Sequence, residues 1–521
     1  MSRPHPADSL SLVLLVVLLA LLGTTLRDYG PSWDEEAQAT YGDRLLHYYG
    51  SGFRDEASLE YRDLYLYGGL FEVLAQGATK VLPFGTYESR HVANGVFGLL
   101  GILAVWLSGR RLGGPTAGFL AALLLAATPR YYGHILVNPK DIPFAALAAL
   151  YVDSALAALA TLPEVSARSV VRLGVTLGLA LGVRVSGLIL PVCVGIVVLL
   201  SVREGRGRAF MKIVVLPLVV SWPLMLLFWP WAARGPFTRP FVALHALARG
   251  AGGWRVLFAG RWVEVTSPPW SFVPGWFANT LPEFYLVGLV ASLVLLRRLG
   301  RAELLLFLVI TLPPLGAIAL HSRQYDAARH FLFLLPPAAL LCGLALARLR
   351  ALGRAGVLAL GLALASVVAS VLDMARLHPY EYVYFNRLVA GGLKGAATRF
   401  ELDYWGLSYR EGALWLLANY PSPGTRPRKR RIEVANCSLD FLTEGVLSGT
   451  EQGRKTFVEV RKRDAPHILL SLENEECDIP LSGPRIYSVE REGVRLLEIR
   501  ELRHPVEEPR LGSDPDGEGR P

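Results

Sequence analysis

The feature that most limits what this chain can fold into is a series of apolar blocks. They fall at about 9–26, 91–108, 115–129, 142–160, 171–183, 187–202, 213–230, 281–296, 303–320, 331–347 and 355–372. A bilayer core of roughly 30 Å is crossed by a helix of about 17–25 residues, and most of these blocks approach that length. Only 19% of the 521 residues are charged and 52% are hydrophobic, where soluble chains carry about a quarter charged residues. The expected fold is a polytopic α-helical membrane protein of about eleven spans. The first block follows Arg3 and is not followed by a small-x-small cleavage pattern, so it reads as an uncleaved first helix.

The arginines set the expected topology. Arg110 and Arg111, Arg168, the run Arg203 to Lys212, Arg297 to Arg301, and Arg348 to Arg354 lie in alternate short connections. Positive charge marks the cytoplasmic side. The other connections then face outward: the carboxylate-rich segment 27–90, the loop 130–141, the aromatic segment 231–280 and the stretch 321–330. The alternation holds only if residues 171–201 form two short helices broken at Arg184 and Ser186. The net charge of +9 resides mainly in these loops, which argues against nucleic acid as a partner. The expected location is the inner (plasma) membrane, with the active face extracytoplasmic.

Composition shifts after 372, giving the expected domains: 1–372 transmembrane, 373–502 a small soluble extracytoplasmic α/β domain, and 503–521 a disordered tail. Within the second, "LSYREGALWLLANY" scans as a helix with Ser408 as N-cap and Glu411 three residues on. "RIEVANC" and "HILLSL" read as strands, and "RIYSVEREGVRLLEI" as a hairpin turning at Glu492-Gly493. Outside an oxidising membrane face, Cys437 and Cys477 can pair, while Cys193 and Cys342 sit in apolar blocks as packing residues. The basic run 426–431 reads as a solvated linker.

Three outward stretches could carry chemistry. Trp33-Asp34-Glu35-Glu36 stands just past the first helix. A carboxylate there could take a proton from an acceptor hydroxyl, or could start a helix capped by Ser32. "YYGHILVNPKDIPF" holds Lys140, a point charge suited to phosphate, and Asp141, between two backbone-restricting prolines. "HSRQYDAARHF" concentrates Arg323, Arg329 and His330 on a side where basic residues are disfavoured. A lipid-linked phosphate at the headgroup level explains that cluster. Arg90 and Arg184 are further outer cations, which lipid-headgroup contact would also explain. Asp153, toward the cytoplasmic end of its helix, carries no assignment.

These motifs, "WDEEAQATYG" and "NPKDIPF" with "RQYDAARHFLFLLPP" in support, resemble the GT-C superfamily of glycosyltransferases. The nearest resemblance is to family 39, the protein O-mannosyltransferase and aminoarabinose-transferase group. It implies transfer of a monosaccharide from a polyprenyl-phosphate carrier to an acceptor at the outer face, with inversion and a carboxylate base. Asp34 and Glu35 match the family's first-loop acidic pair, and Asp141 its second-loop acid. Lys140, Arg323 or Arg329 could hold the carrier phosphate, with His330 and Arg184 beside them, and Arg90 stands where related enzymes carry an arginine. The resemblance requires no cofactor; two outer carboxylates could hold a divalent cation. The partners it implies are the lipid-linked donor, membrane lipids and an acceptor of undefined class: lipid, glycan or protein. A transporter for a lipid-linked or sugar substrate is the alternative, and a non-catalytic carrier-binding subunit a third. A transporter should carry paired polar groups deep in several helices, whereas this chain keeps its charges at the outer rim.

Overall fold

The computed structural model describes residues 5–250, 253–295, 300–420, 431–463, 466–474, 477 and 483–502. The expected disordered tail 503–521, most of the basic run 426–431, and Arg297 and Arg298 lie outside the described residues. The chain divides into two compact units, Met1–Trp405 and Gly406–Pro521.

The first unit is helical. Seven of its helices are long and apolar enough to cross a membrane among the described residues: Pro6–Thr25, Thr86–Ala126, Asp141–Ala160, Arg206–Leu227, Arg301–Ala319, Asp326–Arg348 and Gly353–Leu377. An eighth is added if Phe272–Thr280 and Phe284–Leu295, bent by 110°, count as one span. The expected blocks at 91–108 and 115–129 are the two limbs of Thr86–Ala126, which breaks at Gly114. Gly114 has φ 81°, a left-handed value that glycine adopts without a Cβ clash, and Pro115 cannot continue the preceding helix. The stretch 171–201 is likewise two shorter helices, Ala167–Leu181 and Ile189–Ser201, joined through an extended Arg184 and one 3-10 turn.

The helices differ in how much of their surface is covered. Asp141–Ala160 is 89% buried over its most apolar stretch and Asp326–Arg348 83%, so these two form the centre. Pro6–Thr25, Arg301–Ala319 and Gly353–Leu377 are 22%, 17% and 22% buried, leaving rows of Leu and Val exposed. Exposed apolar rows on long helices are stable against lipid and costly against water.

The first unit extends past the expected boundary at 372. Residues 378–405 pack into it through buried Tyr380, Tyr382, Tyr384 and Phe385. Asn386 Nδ2 donates to the carbonyls of Ala278 (2.7 Å) and Leu281 (2.9 Å), and the Tyr382 hydroxyl bonds Asp403. The segment is aromatic rather than aliphatic, so the fall in hydropathy at 373 marks the end of the last span and not of the unit.

Two sheets are present among the described residues. Strands β1 (Arg255–Phe258) and β2 (Arg261–Glu264) form an antiparallel pair in the first unit. The second unit contains β3 (Ile432–Asn436), β4 (Phe457–Glu459), β5 (Ile468–Leu472), β6 (Arg485–Arg491) and β7 (Val494–Glu501), in the order β4-β3-β5-β7-β6. β3 lies parallel to β4 and β5; β7 is antiparallel to β5 and β6. The helix Ser408–Asn419 covers this sheet. Its N-cap position is Leu407, one residue before the expected Ser408. The expected hairpin turns at Glu492 (φ 51°) and Gly493 (φ 74°), and Cys437 and Cys477 are joined in a disulfide. Cys193 and Cys342 are free and buried.

Candidate active site

Four helix ends of the first unit meet in one charged cluster. The first is the exit of Pro6–Thr25. Beyond it, the Ser32 hydroxyl donates to the Val137 carbonyl (2.8 Å), and Trp33 N–H donates to the Trp405 carbonyl (3.1 Å). The next helix, Glu35–Gly50, starts at Asp34, and its first turn is stabilised from Glu35. Glu35 reaches back to accept the Ser32 N–H (2.7 Å) and lies 3.1 Å from His91 Nε2. The N-cap position is Asp34, so this bond ties down the turn ahead of the helix rather than closing a capping box. The Ser32 hydroxyl, expected from sequence as the cap, is instead committed to Val137. The division of labour leaves the Asp34 carboxylate outside the helix's own hydrogen bonds.

The second end is the start of Asp141–Ala160. Asn138 Oδ1 accepts the Asp141 N–H (2.9 Å), and its Nδ2 donates to the Asp141 carboxylate (3.0 Å) and to His134 Nδ1 (3.1 Å). The amide orientation is thereby fixed, and so is the tautomer: His134 carries its proton on Nε2, which donates to the Tyr404 hydroxyl (3.0 Å). Burial, reinforced by the neighbouring Arg130 charge, lowers the His134 pKa to about 3, so the ring is neutral.

The third end is the break at Arg184, whose Nη2 lies 2.5 Å from the Asp141 carboxylate. This junction is approached closely by the loop at Gly68. A Cβ on Gly68 would lie 2.1 Å from the Gly182 carbonyl oxygen, so only glycine fits. The approach brings the Tyr67 ring to 4.7 Å from Lys140 Nζ and 5.6 Å from the Arg184 guanidinium.

The fourth end precedes Leu335–Arg348. Asp326, Ala327 and Ala328 have φ of 48°, 55° and 58°, three successive non-glycine residues in the left-handed region. Each such residue costs about 1–2 kcal/mol. Strain of this kind persists where surrounding structure over-determines it, and it concentrates at functional sites. The next residue is Arg329. Its Nε bonds Asp326 (2.9 Å), Nη1 bonds Asp141 (3.2 Å) and Nη2 lies 3.4 Å from Asp34. Lys140 Nζ stands 3.6 Å from the same Asp34 oxygen, Oδ2.

The result is three carboxylates alternating with three cations. Arg329 uses one N–H on each of its nitrogens, and Lys140 lies beyond hydrogen-bond distance of Asp34, so both retain donors for a further anion. The Asp141 side chain is 2% exposed, whereas Asp34 is 27% exposed and open to a ligand. Burial tends to raise the Asp34 pKa, but Lys140 and Arg329 outweigh it and hold the carboxyl below its usual value.

Of the residues expected from sequence, the fold gathers Asp34, Lys140, Asp141, Arg184 and Arg329. His330, next to Arg329, lies near enough to interact electrostatically with Asp141 and Arg184, whereas Glu35, Arg90 and Arg323 are engaged elsewhere. Glu35 is 1% exposed and committed to Ser32 and His91. Arg90 is fully buried against Glu72 (2.5 Å) and Gln76 (3.2 Å), so it braces neighbouring helices. Arg323 packs against both Trp254 (4.1 Å) and Tyr325 (4.7 Å), and His330 packs edge-on to Tyr325. Asp326, Asn138 and Tyr67 were not anticipated. Asp326 carried a signal, three residues before Arg329; Tyr67 carried none. No group of three His, Cys, Asp or Glu side chains suited to a metal ion occurs among the described residues.

Comparison with known proteins gives a consistent picture of the fold. Residues 71–234 match the family model for dolichyl-phosphate-mannose-protein mannosyltransferase, a stretch that includes Lys140, Asp141 and Arg184. No curated protein matches the chain. Among solved structures, ArnT from Cupriavidus metallidurans bound to undecaprenyl phosphate aligns over 94% of this chain and 97% of its own, at 15% identity and TM-score 0.53. The same protein in its apo state aligns over the same shares at 16% identity and TM-score 0.51. The chain is a membrane protein of GT-C fold that carries, at 71–234, a segment similar to the dolichyl-phosphate-mannose-protein mannosyltransferases.

Proposed function

We propose that the protein is a membrane glycosyltransferase that moves a monosaccharide from a polyprenyl-phosphate carrier to an acceptor hydroxyl at the extracytoplasmic face of the plasma membrane. The observation that carries this reading is the partly open Asp34 carboxylate, flanked within 3.6 Å by Lys140 and Arg329. A base and a set of anion-holding cations stand side by side at the end of membrane helices. A lipid-tethered phosphate can reach that level and no further.

The chemistry follows from the geometry. The donor phosphate engages the spare donors of Lys140 and Arg329, with Arg184 one pair further in. Asp34 accepts the proton of the acceptor hydroxyl as its oxygen attacks the anomeric carbon. The bond from that carbon to the phosphate oxygen breaks in the same step, and the electron pair leaves with the phosphate. The cations stabilise the charge that develops on the leaving group. Asp141 is the buried counterion that orients Arg184 and Arg329. Attack opposite the leaving group inverts the anomeric centre. The undecaprenyl phosphate on the similar ArnT fold supports the class of carrier; the sugar is a hexose or pentose, and the acceptor a lipid, glycan or protein.

The test uses the purified chain in lipid vesicles with a panel of labelled undecaprenyl-phosphate hexoses and pentoses. Asp34→Asn is expected to slow transfer by about 10²–10⁴-fold, the range for loss of a general base. Transfer by Asp34→Asn at the wild-type rate would remove Asp34 as the base.

A further inference from the structure

Arg130 lies in the short helix Pro129–His134 and its side chain is buried. No carboxylate pairs with it among the described residues. A buried cation without a counterion needs another reason to be there. Its Nη1 donates to the carbonyl of Ala327 (3.0 Å), the middle residue of the left-handed turn. The guanidinium stands 5.0 Å from the Trp276 ring centroid and 5.9 Å from that of Tyr404, so it packs against both rings. The turn it grips leads directly into Arg329, whose three nitrogens reach Asp326, Asp141 and Asp34.

From this geometry we propose that Arg130 is a positioning residue. It clamps the left-handed turn 326–328 and thereby aims the Arg329 guanidinium at the anion site. Three successive left-handed residues with side chains do not hold that shape unaided. A hydrogen bond from a buried guanidinium, packed against Trp276 and Tyr404, to the central carbonyl supplies the constraint. Tyr404 steadies the same guanidinium, with its hydroxyl 3.5 Å from Nη1. The consequence for carrier binding rests on the proposed function; the clamping of the turn does not.

Two measurements on the full chain in detergent test this. The first is hydrogen exchange without ligand. Arg130→Ala should speed exchange across 325–332 at least tenfold and leave Gly353–Leu377 and the β3–β7 sheet unchanged. Arg130→Lys, which keeps a donor for Ala327, should restore protection to within threefold of wild type. Unchanged protection in Arg130→Ala overturns the clamp; should that variant not fold, Arg130→Met, which keeps the bulk and has no donor, replaces it with the same expected loss. The second is titration with undecaprenyl phosphate. Arg130→Ala should raise Kd at least tenfold. Adding Ala327→Gly and Ala328→Gly should recover most of the affinity, because glycine takes the left-handed shape without a Cβ clash. Faster exchange with an unaltered Kd would separate Arg130 from the aim of Arg329 and overturn that half. Failure of the wild type to bind undecaprenyl phosphate would count against the proposed function, with hydrogen exchange still deciding the clamp.

Discussion

Asp34 and Glu35 are adjacent acids with opposite fates, because a helix begins between them. Glu35 turns inward to the Ser32 N–H and His91, while Asp34 turns toward Lys140 and Arg329. Glu35→Gln should therefore lower the melting temperature, by the equivalent of about 1–3 kcal/mol for a disturbed buried hydrogen bond, and leave transfer within tenfold of wild type. Asp34→Asn should cut transfer far more, with some loss of stability as well because its charge is paired with Lys140 and Arg329; a loss of transfer beyond tenfold in Glu35→Gln would contradict the division. The pH dependence has a defined sign. The folded-state pKa of Asp34 is depressed, so its contribution to stability is present above the ordinary carboxylate pKa of about 3.9 and is lost as pH falls through the lower folded value. As the proposed base, Asp34 stays ionised across the same range. The acid limb of the transfer profile should lie below pH about 4, and a limb near pH 6 would assign the proton transfer to another group.

At the scale of elements, the cluster is assembled from ends of helices whose other ends need separate anchoring. Asp153 provides one such anchor, a role its sequence context did not specify. Its carboxylate accepts from Ser108 Oγ (2.8 Å) and Arg111 Nη1 (2.7 Å) and pairs with Arg172, joining three helices. Both arginines are over a third exposed, so water screens part of the interaction. Asp153→Ala should cost about 1–3 kcal/mol in a denaturation experiment while the Kd for undecaprenyl phosphate stays within threefold. Much of this element layer was legible. The basic pair Arg110-Arg111 between two apolar blocks announced the break in Thr86–Ala126, and Glu492-Gly493 announced the β6–β7 turn. Strand β4 was not read, because three residues carry too little alternation to be distinguished from a loop.

For the whole molecule, the charge pattern fixes an expected direction across the membrane, and the proposed chemistry depends on it. Glu36 is exposed, one residue into the helix that Asp34 begins. In whole cells, Glu36→Cys should react with a membrane-impermeant maleimide added outside. The native cysteines give a low background, since two are buried and two are bonded to each other. Labelling only after the inner leaflet is opened would reverse the orientation and remove the proposed donor geometry.

Apolar length was enough to determine a helical membrane unit, and strand and turn patterns an α/β unit after it, because lipid and water sort side chains by composition; the arginines gave only the expected side of the loops proposed to carry the chemistry. Which acid is free and which is structural depends on partners distant in sequence. Asp34 is defined by residues 140 and 329, Glu35 by His91, and Arg130 by a carbonyl at 327. No periodicity encodes those separations. They are decided by where helix ends meet, and that is settled by packing across the bundle.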